Sequence, residues 1–363
     1  MTDMATRQPV LLAMSGGVDS SVAAYLLQQD GYDVRGVHFQ LMLAAPGGQD
    51  EHGASQHARD AQAVAQRLGI SLSVVDLSAR LEPIIEDFVR QYARGRTPNP
   101  CIRCNAEVKF AKLIELADQE GIRWIATGHY ARAAAGPDGP AIFRARCRAK
   151  DQSYFLCALE PAVLGRLLLP LGEVADKAGT RRLAQEQDLT VHDKPDSQEI
   201  CFAGQAGYVE LLRRRAPEAL QPGDVVDASG KVLGRHGGIG RFTIGQRRGL
   251  RVAAGAPMYV TAIDPSTAKV TIGPRREVMS DGLVATAARW QGRVGREFRA
   301  QVQVRHNHAG AAAVVRLLDD NTFEAAFDEP VLAVTAGQVA GVYDGQRLLG
   351  GGWIHRGWRG GGV

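Results

Sequence analysis

Three cysteines in this sequence have a spacing that suits sulfur chemistry. Cys101 and Cys104 stand three residues apart in "TPNPCIRCN", and Cys201 follows nearly a hundred residues later in "KPDSQEICFAG". Exchange of a carbonyl oxygen for sulfur needs an activated oxygen and a sulfur nucleophile; a cysteine persulfide supplies the sulfur when a second thiol releases it by forming a disulfide. Asn105 is a good N-cap, so the pattern predicts a helix from about 106 to 119 with Cys104 at its N-terminus, where a thiol has a lowered pKa. Nothing in the periodicity shows that Cys104 and Cys201 approach each other.

The same cysteines are compatible with other chemistry. Cys101, Cys104 and Cys201 offer three thiolates, which is enough to hold a [4Fe–4S] cluster with one open iron. The C-x-x-C spacing also fits zinc or a local redox pair. Cys147 and Cys157 match no motif, and we expect both to be small buried apolar side chains without a chemical role.

A second candidate site is the break in the apolar run "LLAMSGGVDSSVAAYLL", residues 11 to 27. A Ser15-Gly16-Gly17 turn between a buried strand and a helix lets backbone N–H groups approach an anion, and the helix N-terminus adds partial positive charge. The P-loop form ends in Gly-Lys-Ser/Thr, whereas Asp19 and Ser20 follow here, which disfavours chemistry at a γ-phosphate. On its own the glycine pair is equally consistent with an ordinary turn.

These residues are positioned by alternating strands and helices up to about residue 130. The predicted strands are Pro9 to Met14, Asp33 to Leu43, Ser71 to Leu77 and 124 to 129. The predicted helices are Ser20 to Gln29, a segment with Ala58, Ala61, Val64, Ala65 and Leu68 on one face, Ser78 to Arg94, and about Ala106 to Gln119; a Gly-rich loop spans Ala44 to Gly53. Such alternation predicts a doubly wound parallel sheet, which binds ligands at the carboxyl ends of its strands.

Beyond residue 207 the pattern changes to period two, which is typical of antiparallel strands. "MYVTAIDPSTAKVTIG" contains two β-rich runs around a turn, and "EFRAQVQVR" alternates cleanly. In the second run the expected inward side chains are Phe298, Ala300, Val302 and Val304, and the expected outward ones are Arg299, Gln301, Gln303 and Arg305. We therefore predict an α/β fold in three parts: a catalytic domain over 1–207, a small central β-rich domain over 208–282 and a C-terminal β-barrel over 283–363.

Composition limits the class of protein. The 363 residues, 45% hydrophobic and 23% charged, are typical of an ordinary soluble chain, and the net charge of +4 is weak evidence for a polyanionic partner. No apolar segment approaches the roughly 20 residues of a membrane span, and Met1 to Pro9 lacks the apolar core of a secretory signal. Five cysteines are too few for a disulfide scaffold in a chain of this length. We expect a cytoplasmic protein with reduced thiols and no membrane partner.

Several motifs resemble those of known families. "SGGVDSSV" resembles the pyrophosphate loop of the ATP pyrophosphatases, a Rossmann-like family that includes GMP, NAD and argininosuccinate synthetases and the tRNA thiolation enzymes. Together with "TPNPCIRCN", "ATGHYAR", "KDQSYFL", "DSQEICF" and "RFTIGQRRGL", it makes the chain from about 10 to 353 closely similar to the bacterial tRNA-specific 2-thiouridylases. The paired cysteine motifs and "KDQSYFL" are absent from the other branches named.

The resemblance implies a reaction and the two cysteines that perform it. ATP, with Mg²⁺, would adenylate O2 of the wobble uridine of a tRNA, and sulfur transfer would give 2-thiouridine, AMP and pyrophosphate. Cys104 matches the nucleophilic thiol of the family and Cys201 matches the cysteine that carries the persulfide. A disulfide between them would close when sulfur is released.

Further positions follow from the same resemblance. The implied ATP-binding residues are Ala13, Met14, Ser15, Gly16, Gly17, Val18, Asp19, Ser20, Phe39 and Gly128. The implied contacts with the target base and the tRNA are Asn99, Pro100, Cys101, His129, Lys150, Asp151, Gln152, Arg305, His306 and Gln338. At a strand end a glycine such as Gly128 leaves room for a nucleotide. Phe39 departs from the Met or Leu frequent in the family, and Cys101 stands where some members have Asp. Without the motif, His129 would be read as a structural histidine.

The implied partners are tRNAs for lysine, glutamate and glutamine, with the anticodon base flipped out and the β-rich domains gripping the anticodon arm. The persulfide sulfur would originate at a cysteine desulfurase, directly or through a relay. Two rival functions stay open. A nitrogen-transferring pyrophosphatase would need neither Cys104 nor Cys201, and a catalytically silent RNA-binding protein would bind tRNA without releasing AMP.

Overall fold

The computed structural model describes residues 7–41, 55–195, 200–203, 207–250, 252 and 255–360. The predicted loop Ala44 to Gly53 and the end of the predicted second strand lie outside these residues. The chain forms two compact units, the first within Met1–Glu82, Ile102–Gln198 and Gln346–Leu348, and the second within Pro83–Cys101, Glu199–Gly345 and Leu349–Val363. Within the described ranges, no helix is both long enough and apolar enough to cross a membrane.

The secondary structure follows the predicted order. The α-helices are α1 Val18–Gln29, α2 Gln56–Leu68, α3 Ser78–Ala93, α4 Pro100–Cys104, α5 Phe110–Gln119, α6 Pro161–Leu164, α7 Lys177–Glu186 and α8 Gly207–Arg215, with a π-helical segment Asn105–Lys109. The strands are β1 Pro9–Ala13, β2 Asp33–Gln40, β3 Ser71–Asp76, β4 Trp124–Thr127, β5 Ala131–Gly136, β6 Gly139–Arg144, β7 Leu167–Leu168, β8 Gly223–Val226, β9 Val232–His236, β10 Tyr259–Asp264, β11 Lys269–Gly273, β12 Met279–Trp290, β13 Glu297–Gln303, β14 Ala311–Asp319, β15 Thr322–Leu332, β16 Val339–Asp344 and β17 Arg347–Trp358.

The first unit is built on a five-stranded parallel sheet in the order β3-β2-β1-β4-β7. The chain moves outward from β1 through β2 to β3, then returns to the other side of β1 as β4. The carboxyl ends of β1 and β4 therefore flank the point where the strand order reverses, which is where open sheets of this kind bind ligands. The loop 14–17 and Gly128 follow these two strands.

The core of this unit lies between the sheet and helices α1, α2 and α7. The buried side chains include Val10 and Leu12 of β1, Val22 of α1, Val64 of α2 and Ala184 of α7. Of the face predicted for α2, Ala58, Ala61, Val64 and Ala65 are buried. Burial of both faces of β1 explains its uninterrupted apolar sequence.

The second unit contains the β-rich parts of the chain. A four-stranded sheet has the order β10-β11-β8-β9. Its β10–β11 pair is antiparallel as predicted, and its β8–β9 pair is also antiparallel. The β11–β8 pair is parallel, through Val270 opposite Val225 and Thr271 opposite Val226, so the sheet is mixed. Period two predicts a strand but not the direction of its neighbour.

The C-terminal strands form a six-stranded antiparallel barrel in the order β12-β15-β14-β13-β16-β17, closed by pairing of β12 with β17. This architecture confirms the predicted fold class: an N-terminal parallel sheet, a central β-rich part and a C-terminal barrel. One predicted facing is wrong, because Gln303 is only 3% exposed. Its amide donates to the carbonyl oxygens of Arg305 and His306 and thereby holds the turn after β13.

Candidate active site

The loop after β1 has the geometry of an anion-binding turn. Gly16 has φ +73°, and a Cβ there would lie 2.1 Å from the carbonyl oxygen of His57, so only glycine fits. Ser20 Oγ accepts from Ser15 N at 3.1 Å and donates to Gly17 O at 3.1 Å, which fixes the turn from within. Gly17 is the N-cap of α1, and among the described residues no side chain caps this helix. The N–H groups of its first turn are therefore suited to a phosphate.

Gly128 lies directly after β4, across from this loop. A Cβ on Gly128 would come within 2.8 Å of Ser20 N and 2.9 Å of Ser20 Cα. From the sequence we expected a glycine here because a nucleotide needs the space. The structure adds a second reason, since the backbone of α1 itself excludes a side chain at this position. Gly128 lets β4 and the N-terminus of α1 approach closely.

Phe39 lies near the carboxyl end of β2, half-buried and opposite Val75 of β3. Its neighbour His38 is buried, with Nδ1 2.8 Å from the carbonyl oxygen of Met14. Burial lowers the pKa of His38, which favours the neutral imidazole. The end of β2 thus supports the turn that follows β1.

The structure brings a lysine to the loop from a distant part of the sequence. Lys177, the first residue of α7, places Nζ 2.7 and 2.8 Å from the two carboxylate oxygens of Asp19. Tyr130 Oη donates to the same carboxylate at 2.9 Å and lies 2.7 Å from Thr180 Oγ1. Burial raises the pKa of Tyr130, so its hydroxyl keeps its proton. Sequence analysis missed Lys177, because no local pattern distinguishes it.

A second lysine, Lys194, supports the loop from the side of the Gly16 carbonyl. Its Nζ lies 2.9 Å from Gly16 O, 3.0 Å from His57 Nδ1 and 2.5 Å from Asp60 Oδ2. Burial and the neighbouring ammonium lower the pKa of His57. Although burial alone would raise it, the pKa of Asp60 is lowered by the hydrogen bonds from Lys194 and Gln56. Sequence analysis also missed Lys194, although this lysine is the first residue of the motif "KPDSQEICFAG" and could have been recognised there.

Cys104 does not occupy the predicted helix N-terminus. Helix α4 begins at Pro100, and Cys104 is its last residue, directly followed by the π-helical segment. The partial charge of a helix end falls off within one turn, so the predicted activation of this thiol by the helix dipole is wrong. Cys104 is 4% exposed. π-Helical turns are rare and occur frequently at functional sites.

Asn105 links the π-helical segment to the residues after β4 instead of capping a helix. Its Nδ2 donates to Phe155 O at 3.1 Å and lies 3.4 Å from His129 Nε2, while His129 Nδ1 is 2.8 Å from Thr127 Oγ1. Burial, reinforced by the charge of Lys109, lowers the pKa of His129 to about 3. An amide donor facing Nε2 fits the neutral tautomer with its proton on Nδ1. His129 is therefore a neutral, internally bonded group.

The predicted base-contacting segment lies in the second unit. Asn99 N donates to Gly337 O, and Thr97 N donates to Ala336 O. Gln338 Nε2 donates to Thr97 O at 2.9 Å. The structure thus brings Asn99 together with Gln338, two of the predicted positions, and it leaves Cys101 partly exposed at the start of α4.

Cys201 is exposed and begins a short 3₁₀ turn, Cys201–Ala203. The next residue, Phe202, is buried and packs edge-on against Phe88 with ring centroids 5.2 Å apart. Phe88 also contacts Tyr92, which stacks on Tyr208 at 5.0 Å. An aromatic cluster therefore anchors the backbone beside Cys201 and leaves the thiol accessible. Cys104 and Cys201 belong to different units, and their juxtaposition stays a prediction.

Among the other predicted tRNA contacts, Asp151 and Gln152 make hydrogen bonds within the protein. The Asp151 carboxylate is 3.1 Å from Arg144 Nη1 and accepts from Ala145 N at 2.9 Å, and Gln152 Oε1 accepts from Tyr130 N. Lys150 is partly exposed beside them. Contact of these side chains with tRNA stays a prediction.

Arg305 and His306 lie in the turn after β13. Arg305 Nη1 donates to Leu332 O at 2.9 Å, and His306 is exposed. Their contact with tRNA likewise stays a prediction.

The remaining cysteines behave as expected. Cys147 and Cys157 are buried, and burial raises the pKa of the Cys157 thiol to about 12. Within the described ranges, no group of three or more His, Cys, Asp or Glu side chains could hold a metal ion. The alternative of a [4Fe–4S] cluster on Cys101, Cys104 and Cys201 therefore has no support from this part of the chain.

Comparisons with known proteins cover nearly the whole chain. Family models match residues 8–205 (tRNA methyl transferase HUP domain), 210–274 (tRNA methyl transferase PRC-barrel domain) and 280–354 (Aminomethyltransferase beta-barrel domain). The chain is 42% identical over 353 residues to the tRNA-specific 2-thiouridylase MnmA of Paramagnetospirillum magneticum, covering 95% of each chain. It is 43% identical over 363 residues to the protein of the same name from Carboxydothermus hydrogenoformans, covering 98% of this chain and 99% of the relative. A 4-thiouridine synthetase–RNA complex with bound ATP shares 19% identity over 58% of this chain and 51% of its own, with a TM-score of 0.34, too low to bear on the fold or the function.

Proposed function

The chain belongs to the tRNA-specific 2-thiouridylase family, and from this membership we propose that it thiolates the wobble uridine of tRNA at C2 at the expense of ATP. It is a tRNA sulfurtransferase. The observation that carries the ATP-dependent part is the loop Ser15-Gly16-Gly17, an uncapped helix start at the point where the strand order reverses. A nitrogen-transferring pyrophosphatase would use the same loop, so the sulfur chemistry rests on the cysteines.

The first chemical step is activation of the uridine. ATP enters with Mg²⁺ as its substrate complex, and its phosphates bind the first turn of α1. The O2 oxygen of the uridine attacks the α-phosphate, pyrophosphate leaves, and the base becomes adenylated. Ala13 through Ser20, Phe39 and Gly128 are the proposed nucleotide contacts.

Sulfur transfer follows in two steps. The terminal sulfur of a persulfide on Cys201 attacks C2. The C2–O2 bond then breaks, and AMP leaves with the former O2 oxygen. The Cys104 thiolate then attacks Cys201 Sγ, forming a Cys104–Cys201 disulfide and releasing 2-thiouridine; a thiol reductant restores the pair. The exposed Cys201 thiol suits loading by a sulfur donor, and the buried Cys104 thiol suits a resolving role. Because thiols stay reduced in the cytoplasm, we propose that the reaction takes place there.

The three-part division of the chain is also a proposal. We assign catalysis to 1–207 and tRNA binding to 208–282 and 283–363, boundaries close to the ranges that the family models match. Asn99, Pro100, Cys101, His129, Lys150, Asp151, Gln152, Arg305, His306 and Gln338 are the proposed tRNA contacts. A cysteine desulfurase or a sulfur relay would supply the persulfide, and tRNAs for lysine, glutamate and glutamine would be the substrates.

The test combines thiolation with AMP release. Purified protein, ATP, a persulfide donor and a tRNA with an unmodified wobble uridine should give 2-thiouridine and AMP in equal amounts. Cys104→Ser and Cys201→Ser should abolish thiolation, whereas Cys101→Ser and the matched control Cys157→Ala should retain it.

Each rival function predicts a different result. Thiolation lost also in Cys101→Ser, with iron and acid-labile sulfide in active protein, would support the cluster. ATP turnover that is indifferent to both cysteines would indicate nitrogen transfer. Binding of tRNA without AMP release would indicate a silent RNA-binding protein.

A further inference from the structure

The loop after β1 lacks the lysine of a P-loop, yet a lysine from elsewhere stands beside it. Lys177 Nζ lies 2.7 and 2.8 Å from the two oxygens of Asp19, the second residue of α1. The lysine side chain is 13% exposed and the aspartate side chain 32% exposed. The pair is therefore partly exposed beside the first turn of α1, and its ammonium group can reach an anion bound there.

The two partners differ in how firmly they are held. Asp19 also accepts a hydrogen bond from the buried Tyr130, whose hydroxyl lies 2.7 Å from the buried Thr180. Lys177 carries its charge on a flexible four-carbon stem that begins at the first residue of α7, and its ammonium group also lies 5.7 Å from the centroid of the Tyr130 ring. Because the Asp19 side chain is short and the lysine stem is long, the ammonium group is the member that can turn toward a competing anion.

Lys194 is not an equivalent candidate. Its ammonium contacts the carbonyl oxygen of Gly16, and a carbonyl points away from the N–H groups that receive a phosphate. It is also held by Asp60 and His57. Lys194 therefore supports the backbone of the loop, whereas Lys177 faces the first turn of α1.

We propose that Lys177 is the cation that binds the pyrophosphate portion of ATP, exchanging the carboxylate of Asp19 for phosphate oxygens when the nucleotide enters. In the resting protein Asp19 holds the ammonium group at the loop and keeps it ordered. A partly exposed ion pair is weak, and a phosphate offers more charge and more acceptor oxygens than one carboxylate. The exchange is therefore favourable. This inference deepens the proposed function and rests on it for the identity of ATP.

The experiment measures the affinity for inorganic pyrophosphate alone, by titration calorimetry in EDTA. Lys177→Met should weaken binding about tenfold or more, and Lys177→Arg should stay within about threefold of the unmodified protein. Asp19→Asn should bind pyrophosphate more tightly, because it removes the anion that competes for Lys177. The matched control is Lys112→Met, which removes a lysine of similar exposure, 16%, from its ion pair with Glu115 and should change nothing.

The signs of the two changes separate the proposal from a purely structural role. If the pair only joins α1 to α7, Asp19→Asn and Lys177→Met should weaken pyrophosphate binding equally, or neither should affect it. Either result would overturn the proposal. Because binding is measured without tRNA or sulfur donor, failure of thiolation would contradict the proposed function without touching this inference. Absence of pyrophosphate binding by the unmodified protein would contradict this inference, whereas the proposed function is tested separately by the thiolation assay.

Discussion

At the scale of single residues, two partly exposed residues that follow β4, Gly128 and His129, are held in place by neighbours within the protein. His129, between Asn105 and Thr127, is neutral because its burial lowers the pKa to about 3. Residue 128 must be glycine because the backbone of Ser20 leaves no room for a Cβ atom. His129 and Gly128 fix the positions of neighbouring residues. Substitutions at these two positions should therefore act by displacing the site and not by removing a reacting group.

The depressed pKa of His129 predicts acid sensitivity. In the unfolded chain this histidine takes up a proton around its ordinary value of 6.5, whereas the folded protein resists protonation down to about 3. Its contribution to stability is therefore complete above pH 6.5 and declines as the pH falls toward 3. His129→Gln should reduce the dependence of the unfolding free energy on pH by about one proton in this window, as measured by urea denaturation at several pH values. An unchanged pH dependence of the unfolding free energy in His129→Gln would contradict the assignment.

Gly128→Ala should damage the nucleotide site. The added methyl would lie 2.8 Å from Ser20 N, so the N-terminus of α1 must move away from β4. We expect a loss of stability of about 1–3 kcal/mol and a clear loss of pyrophosphate affinity, measured by thermal denaturation and calorimetry. Gly165→Ala, whose Cβ would meet its nearest neighbour at an ordinary 3.7 Å, should have neither effect. Normal pyrophosphate affinity in Gly128→Ala would show that this close approach is unimportant.

At the scale of elements, helical structure runs from Pro100 to Gln119 through a π-helical segment that starts directly after Cys104. The Asn105 side chain is 3% exposed and holds this segment to Phe155. The C-x-x-C pair therefore sits on regular helix, and the irregular turn lies just beyond it. A helix with Cys104 at its start would instead expose the thiol at an end.

Asn105→Ala should destabilise this turn. Removing Nδ2 takes a donor from the carbonyl oxygen of Phe155, at a cost of about 1–3 kcal/mol. We expect lower stability and slower thiolation, because Cys104 loses the fixed segment beside it. Glu107→Gln, in the same segment, breaks only a partly exposed ion pair with Arg103 and should cost less than about 1 kcal/mol. Thermal denaturation and single-turnover thiolation measure both, and equal effects of the two changes would refute a special role for Asn105.

At the scale of the whole molecule, the chain builds separate cores. The parallel sheet packs around residues such as Val10 and Val22, and the barrel around residues such as Phe323, whose ring lies 5.3 Å from that of Trp290. All the contacts described for the nucleotide loop come from the first unit. Binding of pyrophosphate and the integrity of the barrel should therefore respond to different substitutions.

Phe323→Ala tests this separation. The ring is fully buried in the barrel, and its removal should cost about 3–5 kcal/mol. Thiolation of tRNA should fall while pyrophosphate affinity stays normal, as measured by single-turnover assay and calorimetry. Leu318→Ala, on the same barrel and 46% exposed, should change neither quantity. Loss of pyrophosphate affinity in Phe323→Ala would contradict the separation.

By itself the sequence determined the family, the parallel sheet, the barrel and the Ser15-Gly16-Gly17 loop after β1. These features depend on local periodicity and on motifs that are contiguous in the chain. Only the tertiary structure brought Lys177 to Asp19 and Lys194 to Gly16, across 158 and 178 residues. The structure also shows a helix that begins at Pro100 and not at about residue 106, and a buried Gln303 where an outward side chain was predicted. Hydrogen bonds and close packing between distant segments decide such details, and no local pattern contains them.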